Sequence, residues 1–535
     1  MKKIMILLLL FLPLAVVFGQ KSKSLALSDP RQKAVLMQLD KEKLLKEDAE
    51  RPKGRLRCAI LMPVDKIFPN AEMEEKIDGG KIYRFQVDAP GAEALNLYLE
   101  NFCIAKGAEL VFYNADYSNV SPVYTWEDNP DNGIFVTDHF AGDKIFIELF
   151  VPDHATVVDC FRINEAGYMY RPLPTWLKST GFGTSEDCEV NVNCIEGKKW
   201  QQQKKGVARI LLKAGNAQYW CTGSLLNNTK QDRTPYFITA EHCSNNASEA
   251  DYQQWKFYFN YESPECGNPL ADPVNNAFQT TGSTKLAMGN YDRGSDFLLL
   301  QLKDEISENP NLYFNGWTIS ESIATSGVGI HHPQGDIKKI STYKKEVKNH
   351  SKTHWSLLWA QTETNWGSTE GGSSGSPLFD QNKLIIGTLT GGNASCTNKQ
   401  GYDLYGKMNF HWASNGNTPE NTLKTWLNPD NKNITSLNGL SVNDDNNDDE
   451  SKNFVIYPNP ANDLLIIELD EEDKEYADHS VKLFDLMGKC VLEQKFYTMK
   501  SELEINIAHL TEGTYVVSLN NKNGVKTTKI VKKIW

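Results

Sequence analysis

Apolar and polar residues alternate along much of this chain, which is the pattern of β-strands that bury one face. Examples are Lys81–Val87, Lys144–Phe150, Leu464–Leu469 and Thr514–Leu519. Clusters of Gly, Pro, Asn and Asp separate these runs, as expected of turns between strands. The chain is therefore predicted to be mainly β.

The strand pattern divides the chain into three folded domains. Residues 81–178 are predicted to form a β-sandwich, and the Pro-rich residues 171–174 precede a change to shorter strands and more frequent glycines. Residues 179–440 are long enough for a two-barrel β domain. Residues 453–535 alternate again and are predicted to form a small, separate β-sandwich.

Three segments lack this pattern. Residues 1–19 combine two lysines, an apolar run and a small final residue, which is typical of a secretory signal peptide. The run is short for a bilayer span, so no stable membrane span is expected after processing. Residues 20–80 are predicted to form a leader arm, since residues 21 to about 55 are charged and have little to bury. Residues 441–452 are predicted to form an acidic linker.

Composition narrows the classes of function. The chain has 535 residues and a net charge of -12, and an acidic surface argues against nucleic acid as a main partner. The sequence contains no Gly-rich phosphate loop or cofactor motif, so no cofactor is expected. Adjacent histidines in a loop rarely bind one metal ion together, so no metal site is expected from His331, His332 and His354.

The chain has ten cysteines, and export makes disulfides available to them. Cys103 and Cys160 lie in the first predicted sandwich and could pair. Sequence alone leaves their connectivity open.

Ser374 is a candidate nucleophile because it lies between Gly372 and Gly375 in a Gly/Ser-rich turn. A serine hydroxyl needs a neighbouring base and donors aimed at the oxyanion that forms, and glycines let the backbone turn two N–H groups toward that oxyanion. A turn without chemistry is the alternative reading.

His242 is the candidate base, since the apolar run Tyr236–Ala240 predicts a strand that delivers it to a domain edge. A purely structural histidine is the alternative. Asp296 is the best candidate to orient the imidazole, because a buried strand begins directly after it, whereas its rival Asp292 lies in a predicted exposed loop. The order His242, Asp296, Ser374 is the chymotrypsin-like one.

Residues 183–440 resemble a bacterial lysyl endopeptidase of the chymotrypsin fold. The resemblance is carried by these segments: Cys221–Thr229, Thr239–Cys243, Ser295–Phe297, His331–Pro333, Gly372–Pro377 and Gly391–Cys396. It implies a double β-barrel with His242 as base, Asp296 as its orienter and Ser374 as nucleophile. It also implies an oxyanion hole formed by the N–H groups of Gly372 and Ser374.

The same resemblance implies three disulfides. They join Cys221 to Cys243, Cys194 to Cys266, and Cys188 to Cys396. The first would staple the unit that presents His242, and closing loops of this kind stabilises a fold by about 3–5 kcal/mol.

Specificity for basic residues is expected from Asp403. The position six before the nucleophile, where many trypsin-like enzymes carry a carboxylate, is Ser368. The resemblance implies instead that Asp403 is the specificity aspartate, with Thr390, Gly391 and Gly392 as further substrate-binding residues. An exposed loop aspartate is the alternative.

A desolvated carboxylate attracts an ammonium or guanidinium group, which predicts cleavage after Lys or Arg. Thr390 stands where the family has a histidine, and the segment around Glu346 offers no aligned tryptophan. The choice between Lys and Arg therefore stays open. Glu370 could assist nearby.

Activation is expected to differ from that of trypsin-type zymogens, because position 373 is Ser rather than the aspartate that pairs with a new N-terminus. Lys178–Ser179 offers a site that the enzyme itself could cut. Residues 20–178 would then be a propeptide that shields the active site or assists folding. A retained accessory domain is the alternative.

The C-terminal residues resemble a type IX secretion sorting domain of Bacteroidetes. The resemblance is carried by Tyr457–Ala461, Leu483–Gly488, Gly513–Tyr515 and a lysine-rich end. It implies export through the periplasm and an encounter with the type IX secretion machinery. A generic immunoglobulin-like or sugar-binding module is the alternative.

Together these features predict a secreted or cell-surface serine endopeptidase that acts as a monomer on proteins or peptides. The competing class is a non-catalytic adhesin that uses a protease fold as a binding scaffold.

Overall fold

A computed structural model describes residues 32–50, 55–155, 160–171, 184–269, 273–303, 306, 309, 311–442, 455–458, 461–469, 478–485, 489–497, 502–521 and 524–532. The predicted signal peptide, the acidic run at 443–450 and the Lys178–Ser179 site lie outside these residues. Within the described ranges, no helix combines the length and apolar character that crossing a bilayer requires.

The N-terminal domain is a two-sheet sandwich. Its core is formed by residues of both sheets, including Phe85, Leu97, Ile147 and Ile163. One sheet has the order β1-β4-β9-β6 with β3 beside β4, and the other contains β2-β10-β5 with β7 and β8 beside β5. The elements are β1 (Lys33–Val35), α1 (Lys41–Ala49), β2 (Leu56–Phe68), β3 (Glu74–Ile77), β4 (Gly80–Asp88), β5 (Ala94–Glu100), β6 (Glu109–Asn114), β7 (Phe135–Val136), β8 (Phe140–Ala141), β9 (Lys144–Pro152) and β10 (Phe161–Met169).

The folded N-terminal unit begins well before the boundary at residue 81 that the sequence suggests. Strand β2 falls in the segment expected to be a leader arm, yet it pairs antiparallel with β10 along most of its length. Val64 and Phe68 of β2 are buried in the sandwich core. Charged neighbours such as Asp65 and Lys66 mask this strand in the sequence. The predicted leader arm is therefore corrected: from β1 onward, its described residues belong to the folded N-terminal sandwich.

The first barrel of the central domain closes from seven strand segments. They pair in the order β15-β14-β11-β12-β13-β17-β16. Closure follows because β15 continues into β16 through Gly282, whose φ of +91° suits glycine. The elements are β11 (Val207–Ala214), β12 (Ala217–Leu225), β13 (Tyr236–Thr239), α2 (Glu249–Tyr252), β14 (Lys256–Phe259), β15 (Phe278–Thr281), β16 (Ser283–Gly289) and β17 (Phe297–Leu302).

The second barrel has the order β21-β20-β24-β25-β26-β23-β22. The N–H of Ala360, just beyond β23, donates to the carbonyl of Thr342 on β21 at 2.8 Å, which joins the two ends. The elements are β18 (Tyr313–Phe314), β19 (Trp317–Thr318), β20 (Gly327–His331), β21 (Lys339–Tyr343), β22 (Lys348–Asn349), β23 (His354–Leu357), β24 (Pro377–Asp380), β25 (Ile385–Gly392), β26 (Asp403–Lys407), α3 (Met408–Ala413), α4 (Lys424–Leu427), β27 (Ser436–Leu437) and β28 (Leu440–Ser441).

The C-terminal residues form a second, smaller sandwich. Its two sheets have the orders β29-β30-β33 and β32-β31-β34-β35, and residues such as Ile467, Val481 and Val517 fill the core between them. The strands are β29 (Val455–Tyr457), β30 (Leu464–Glu468), β31 (Asp478–Phe484), β32 (Cys490–Tyr497), β33 (Glu502–Asn506), β34 (Gly513–Asn521) and β35 (Gly524–Lys532). The predicted fold class, a double β-barrel between two β-sandwiches, is confirmed.

The N-terminal sandwich and the first barrel share one continuous sheet. Residues Leu56–Ile60 of β2 pair antiparallel with Ala217–Trp220 of β12. Beside this junction, Lys256 forms an ion pair with Asp138 at 2.7 Å. Backbone pairing and buried polar contacts therefore fix the N-terminal domain to the barrel that carries His242.

Cys103 and Cys160 lie close together in the sandwich, but Cys103 forms no disulfide. The N–H of Cys103 donates to the carbonyl of Cys160 at 2.7 Å. The pairing that the sequence left open is thus absent from this structure.

Candidate active site

His242 and Asp296 are brought together by neighbouring strands of the first barrel. β13 ends at Thr239 and leads into the turn that carries His242. The Nδ1 atom of His242 lies 2.8 Å from Oδ2 of Asp296, and its backbone N–H donates to Oδ1 at 3.0 Å. Both carboxylate oxygens of Asp296 are therefore engaged by one residue, which orients the imidazole through Nδ1.

Asp296 is buried and has an unusual backbone conformation. It is fully buried and has a φ of +57°, a left-handed conformation that is uncommon for residues other than glycine. Burial of an ionised carboxylate is costly unless it is paired, and His242 supplies that pairing. Strained backbone of this kind clusters at functional sites.

Ser374 comes from the second barrel but is tied to the first. The N–H of Thr222 on β12 donates to the Ser374 carbonyl at 2.9 Å, and the Thr222 hydroxyl donates to the Gly372 carbonyl at 2.9 Å. Gly372 has a φ of +94°. A Cβ at Gly375 would lie 2.1 Å from the Thr239 hydroxyl, so only glycine fits there. These contacts place the serine turn against the strand that adjoins β13.

The three disulfides that the resemblance implies are present. Cys221 on β12 is joined to Cys243, the neighbour of His242. The other two bonds join Cys194 to Cys266 and Cys188 to Cys396. The first bond links the turn that carries His242 to β12, which contacts the Ser374 turn.

A buried histidine supports the serine turn, and the sequence did not reveal this role. Nδ1 of His331 lies 2.9 Å from the Ser373 hydroxyl, and its Nε2 lies 2.9 Å from the Ser341 hydroxyl. Burial and the nearby Lys339 lower the pKa of His331 to about 3, so the ring is neutral. The residue next to the candidate nucleophile is thus held by a neutral hydrogen-bond chain.

His332 and His354 also make internal contacts. His332 Nδ1 lies 2.9 Å from the carbonyl of Asp336, and His354 Nε2 lies 3.1 Å from the Thr390 hydroxyl. In the part of the chain that the structure describes, no three His, Cys, Asp or Glu side chains are grouped as metal ligands would be.

A cavity of about 340 Å³ adjoins Ser374 and contains Asp403 in its wall, together with Thr369, Gly391 and Gly392. Asp403 is only 1% exposed. Its Oδ2 accepts hydrogen bonds from the Trp359 indole at 2.7 Å and from the Thr369 hydroxyl at 2.6 Å. No motif in the sequence points to Trp359, because its contact with Asp403 depends on how β23 and β26 pair.

Thr390, expected to bind substrate, is absent from the residues that line this cavity. Its hydroxyl pairs with His354 instead. Glu370 does line the cavity, and burial raises the pKa of its carboxyl. It accepts a hydrogen bond from the N–H of Glu186 at 2.9 Å.

The N-terminal domain reaches the same cavity. Asp48, Ala49, Arg55, Leu56 and Arg57 line it together with Ser374 and Asp403. Residues of the first sandwich therefore lie at the candidate active site.

Two family models match the chain. Residues 182–406 match the lysyl endopeptidase C-terminal domain, and residues 455–533 match the secretion system C-terminal sorting domain. The two resemblances seen in the sequence, to lysyl endopeptidases and to a type IX sorting domain, are confirmed.

One curated protein and two solved structures are among the known proteins to which the chain is similar. The lysyl endopeptidase of Pseudomonas aeruginosa is 27% identical over 335 residues, which cover 60% of this chain and 70% of that protein. A solved structure of Glu endopeptidase in complex with MPD is 17% identical, with a TM-score of 0.25, and covers 38% of this chain and 85% of that one. The protease Anisep from Arthrobacter nicotinovorans is 16% identical, with a TM-score of 0.28, and covers 38% of this chain and 90% of that one. From the family matches and the curated relative, the chain is a secreted serine protease with a C-terminal secretion sorting domain.

Proposed function

We propose that this protein is an endopeptidase that cleaves proteins after basic residues, with Lys favoured and Arg accepted. The observation that carries the proposal is the shared cavity of Ser374 and the buried carboxylate of Asp403. A peptide whose cationic side chain pairs with Asp403 would present its carbonyl carbon to the Ser374 hydroxyl.

In this mechanism the Ser374 hydroxyl attacks the carbonyl carbon while Nε2 of His242 accepts its proton. Asp296 holds the imidazole through Nδ1 and stabilises the imidazolium that forms. The N–H groups of Gly372 and Ser374 donate to the oxyanion. The imidazolium then protonates the leaving amine, and water hydrolyses the acyl-enzyme in the reverse sense.

Specificity follows from the surroundings of Asp403. Its Oδ2 is held by Trp359 and Thr369, so the carboxylate has a fixed orientation toward the cavity. A substrate cation would compensate a carboxylate held away from water, whereas a neutral side chain would not. The preference for Lys over Arg is proposed from the name of the curated relative.

Residues 20–178 are proposed to be a propeptide, released after cleavage between Lys178 and Ser179. The proposal is supported by the residues of the N-terminal domain that line the cavity. N-terminal sequencing of the secreted protein tests it, and an N-terminus upstream of Lys81 would contradict it. The sorting domain is proposed to deliver the chain to the type IX secretion machinery.

Labelling with a serine-directed fluorophosphonate tests the catalytic proposal. The secreted protein should be labelled, and Ser374→Ala should abolish labelling. Ser322→Ala changes an exposed serine and should leave labelling intact. A peptide library read by mass spectrometry should show cleavage after Lys and Arg. A protein that is not labelled and cleaves nothing would be a binding scaffold.

A further inference from the structure

The chemistry of peptide hydrolysis distinguishes the two sides of this cleft. His242 must protonate the leaving amine, so the substrate residues after the scissile bond pass the imidazole. The residue before that bond places its side chain toward Asp403. Groups that flank His242 therefore face the leaving-group side of the substrate.

The edge of β12 that faces away from β11 runs along this side. Thr222 of β12 donates its N–H to the Ser374 carbonyl at 2.9 Å. Earlier on the same edge, Trp220 pairs with Leu56 and Tyr219 pairs with Arg57, both in β2. Strand β2 thus adds to the barrel as an extended peptide adds to a sheet edge.

Arg55, just before β2, makes two specific contacts beside the base. Its guanidinium carbon lies 3.8 Å from the centre of the Tyr219 ring. Its Nη1 donates to the carbonyl of Cys243 at 3.2 Å. Cys243 directly follows His242 and is disulfide-bonded to Cys221 of β12, so ring and carbonyl are held in fixed positions.

We propose that the Tyr219 ring and the Cys243 carbonyl form a binding subsite for an arginine side chain on the leaving-group side of the cleft. The chain's own Arg55 occupies it in the full-length protein. After the N-terminal domain departs, the subsite selects substrates with Arg one or two positions after the scissile bond. This inference rests on the proposed endopeptidase function and extends its substrate class beyond the residue bound by Asp403.

The contacts match the chemistry of arginine. A guanidinium stacks flat on an aromatic ring and still presents N–H donors at its edge, whereas an ammonium is a compact point charge. A favourable cation–π contact with one hydrogen bond is expected to raise kcat/KM about tenfold. Arg should therefore be preferred to Lys at this position.

Hydrolysis of four matched, internally quenched peptides by the enzyme purified from culture medium tests the subsite. Each has Lys before the scissile bond, and the second residue after it is Arg, Lys, citrulline or Ala. Mass spectrometry of the products restricts each rate to cleavage at that bond, so that cutting after the varied Arg or Lys is not counted. Citrulline has nearly the shape of Arg without its charge. We expect kcat/KM for Arg to exceed that for citrulline about tenfold, with Lys in between. A second set places the same residues directly after the bond.

Two substitutions of Tyr219 test whether its ring causes the preference for Arg. Tyr219→Phe keeps the ring and should keep the preference for Arg. Tyr219→Leu removes the ring and should bring the Arg-to-citrulline ratio near one. Because Tyr219 contacts the barrel core, the peptide comparison in the unsubstituted enzyme stands alone if the Leu variant does not fold.

The outcomes separate this inference from the proposed function. If the Ala peptide is cleaved but Arg and citrulline are equal in both sets, the subsite is refuted and the endopeptidase proposal stands. A preference that survives in Tyr219→Leu refutes the assignment to Tyr219. If no peptide is cleaved and fluorophosphonate does not react, both proposals fall.

Discussion

The two barrels contribute differently to the same cleft. The first carries His242 and Asp296, and its strand β12 is paired with the N-terminal sandwich. The second carries Ser374 and Asp403. Its buried His331 is hydrogen-bonded to Ser373, next to Ser374. Residues 217–220 of β12 are thus covered by the chain itself, whereas the cavity beside Ser374 and Asp403 is lined by residues of both the second barrel and the N-terminal domain. In the proposed mechanism, the first barrel supplies the base and its orienting carboxylate, and the second supplies the nucleophile and the carboxylate that binds the basic side chain.

The largest expected effect concerns the first barrel. Asp296→Asn should lower kcat by about four orders of magnitude, because the amide would hold the wrong tautomer of His242. Initial rates with a Lys-containing peptide measure it. Asp292→Asn alters an exposed loop residue and serves as the control. Near-normal activity of Asp296→Asn would assign the orienting role to another group.

Asp403 tests the second barrel. Asp403→Asn should reduce kcat/KM for Lys-containing peptides about a hundredfold relative to a neutral peptide, because a desolvated charge pair is lost. Thr390→Val is the matched control, since its hydroxyl contacts His354 rather than the cavity. If Asp403→Asn keeps the preference for cations, the pocket assignment is wrong.

Low pH should weaken the docking of the N-terminal domain against strand β12 of the first barrel. Half-buried His139 of the N-terminal domain packs against Trp220 of β12. Burial, Arg209 and Lys256 lower the pKa of His139 to about 3, against the opposing effects of Asp138 and Gln218. A lowered histidine pKa means that docking is fully favoured above pH 6.5 and weakens as pH falls toward 3.

Hydrogen exchange of the amides of residues 217–220 measures this effect. Protection, corrected for the intrinsic exchange rate, should fall roughly tenfold between pH 7 and pH 5 in the full-length protein. His139→Gln should show a smaller change. Equal protection at both pH values, or the same loss in the variant, would show that protonation of His139 does not weaken the docking of the N-terminal domain.

The smallest effect concerns the turn beside the nucleophile. Ser373→Ala removes the hydrogen bond to His331 and should lower kcat about fivefold with little change in KM, since one neutral hydrogen bond contributes about 1 kcal/mol. His331 should add no titration to the rate profile above pH 5, because its pKa lies near 3. A larger effect on KM than on kcat would argue against a role for this bond in holding the oxyanion turn.

Local signals made much of this architecture predictable. Alternating runs predicted the sandwiches, and short motifs gave His242, Asp296 and Ser374 as candidates. The family resemblance implied the three disulfides that the structure contains. Contacts between residues far apart in the sequence could not be predicted from local patterns. Trp359 meets Asp403 only because β23 and β26 pair, and His331 reaches Ser373 across the second barrel. The β2 strand was missed because charged residues interrupt it and its partner lies more than a hundred positions away.

The shared sheet has a consequence for the physical state of the secreted chain. A bare strand edge displays unpaired amide and carbonyl groups that readily recruit strands from other molecules. While β2 covers residues 217–220 of β12, that edge cannot seed such association. Release of the N-terminal domain would uncover it, so the mature enzyme should be the form most prone to self-association until peptide occupies the edge.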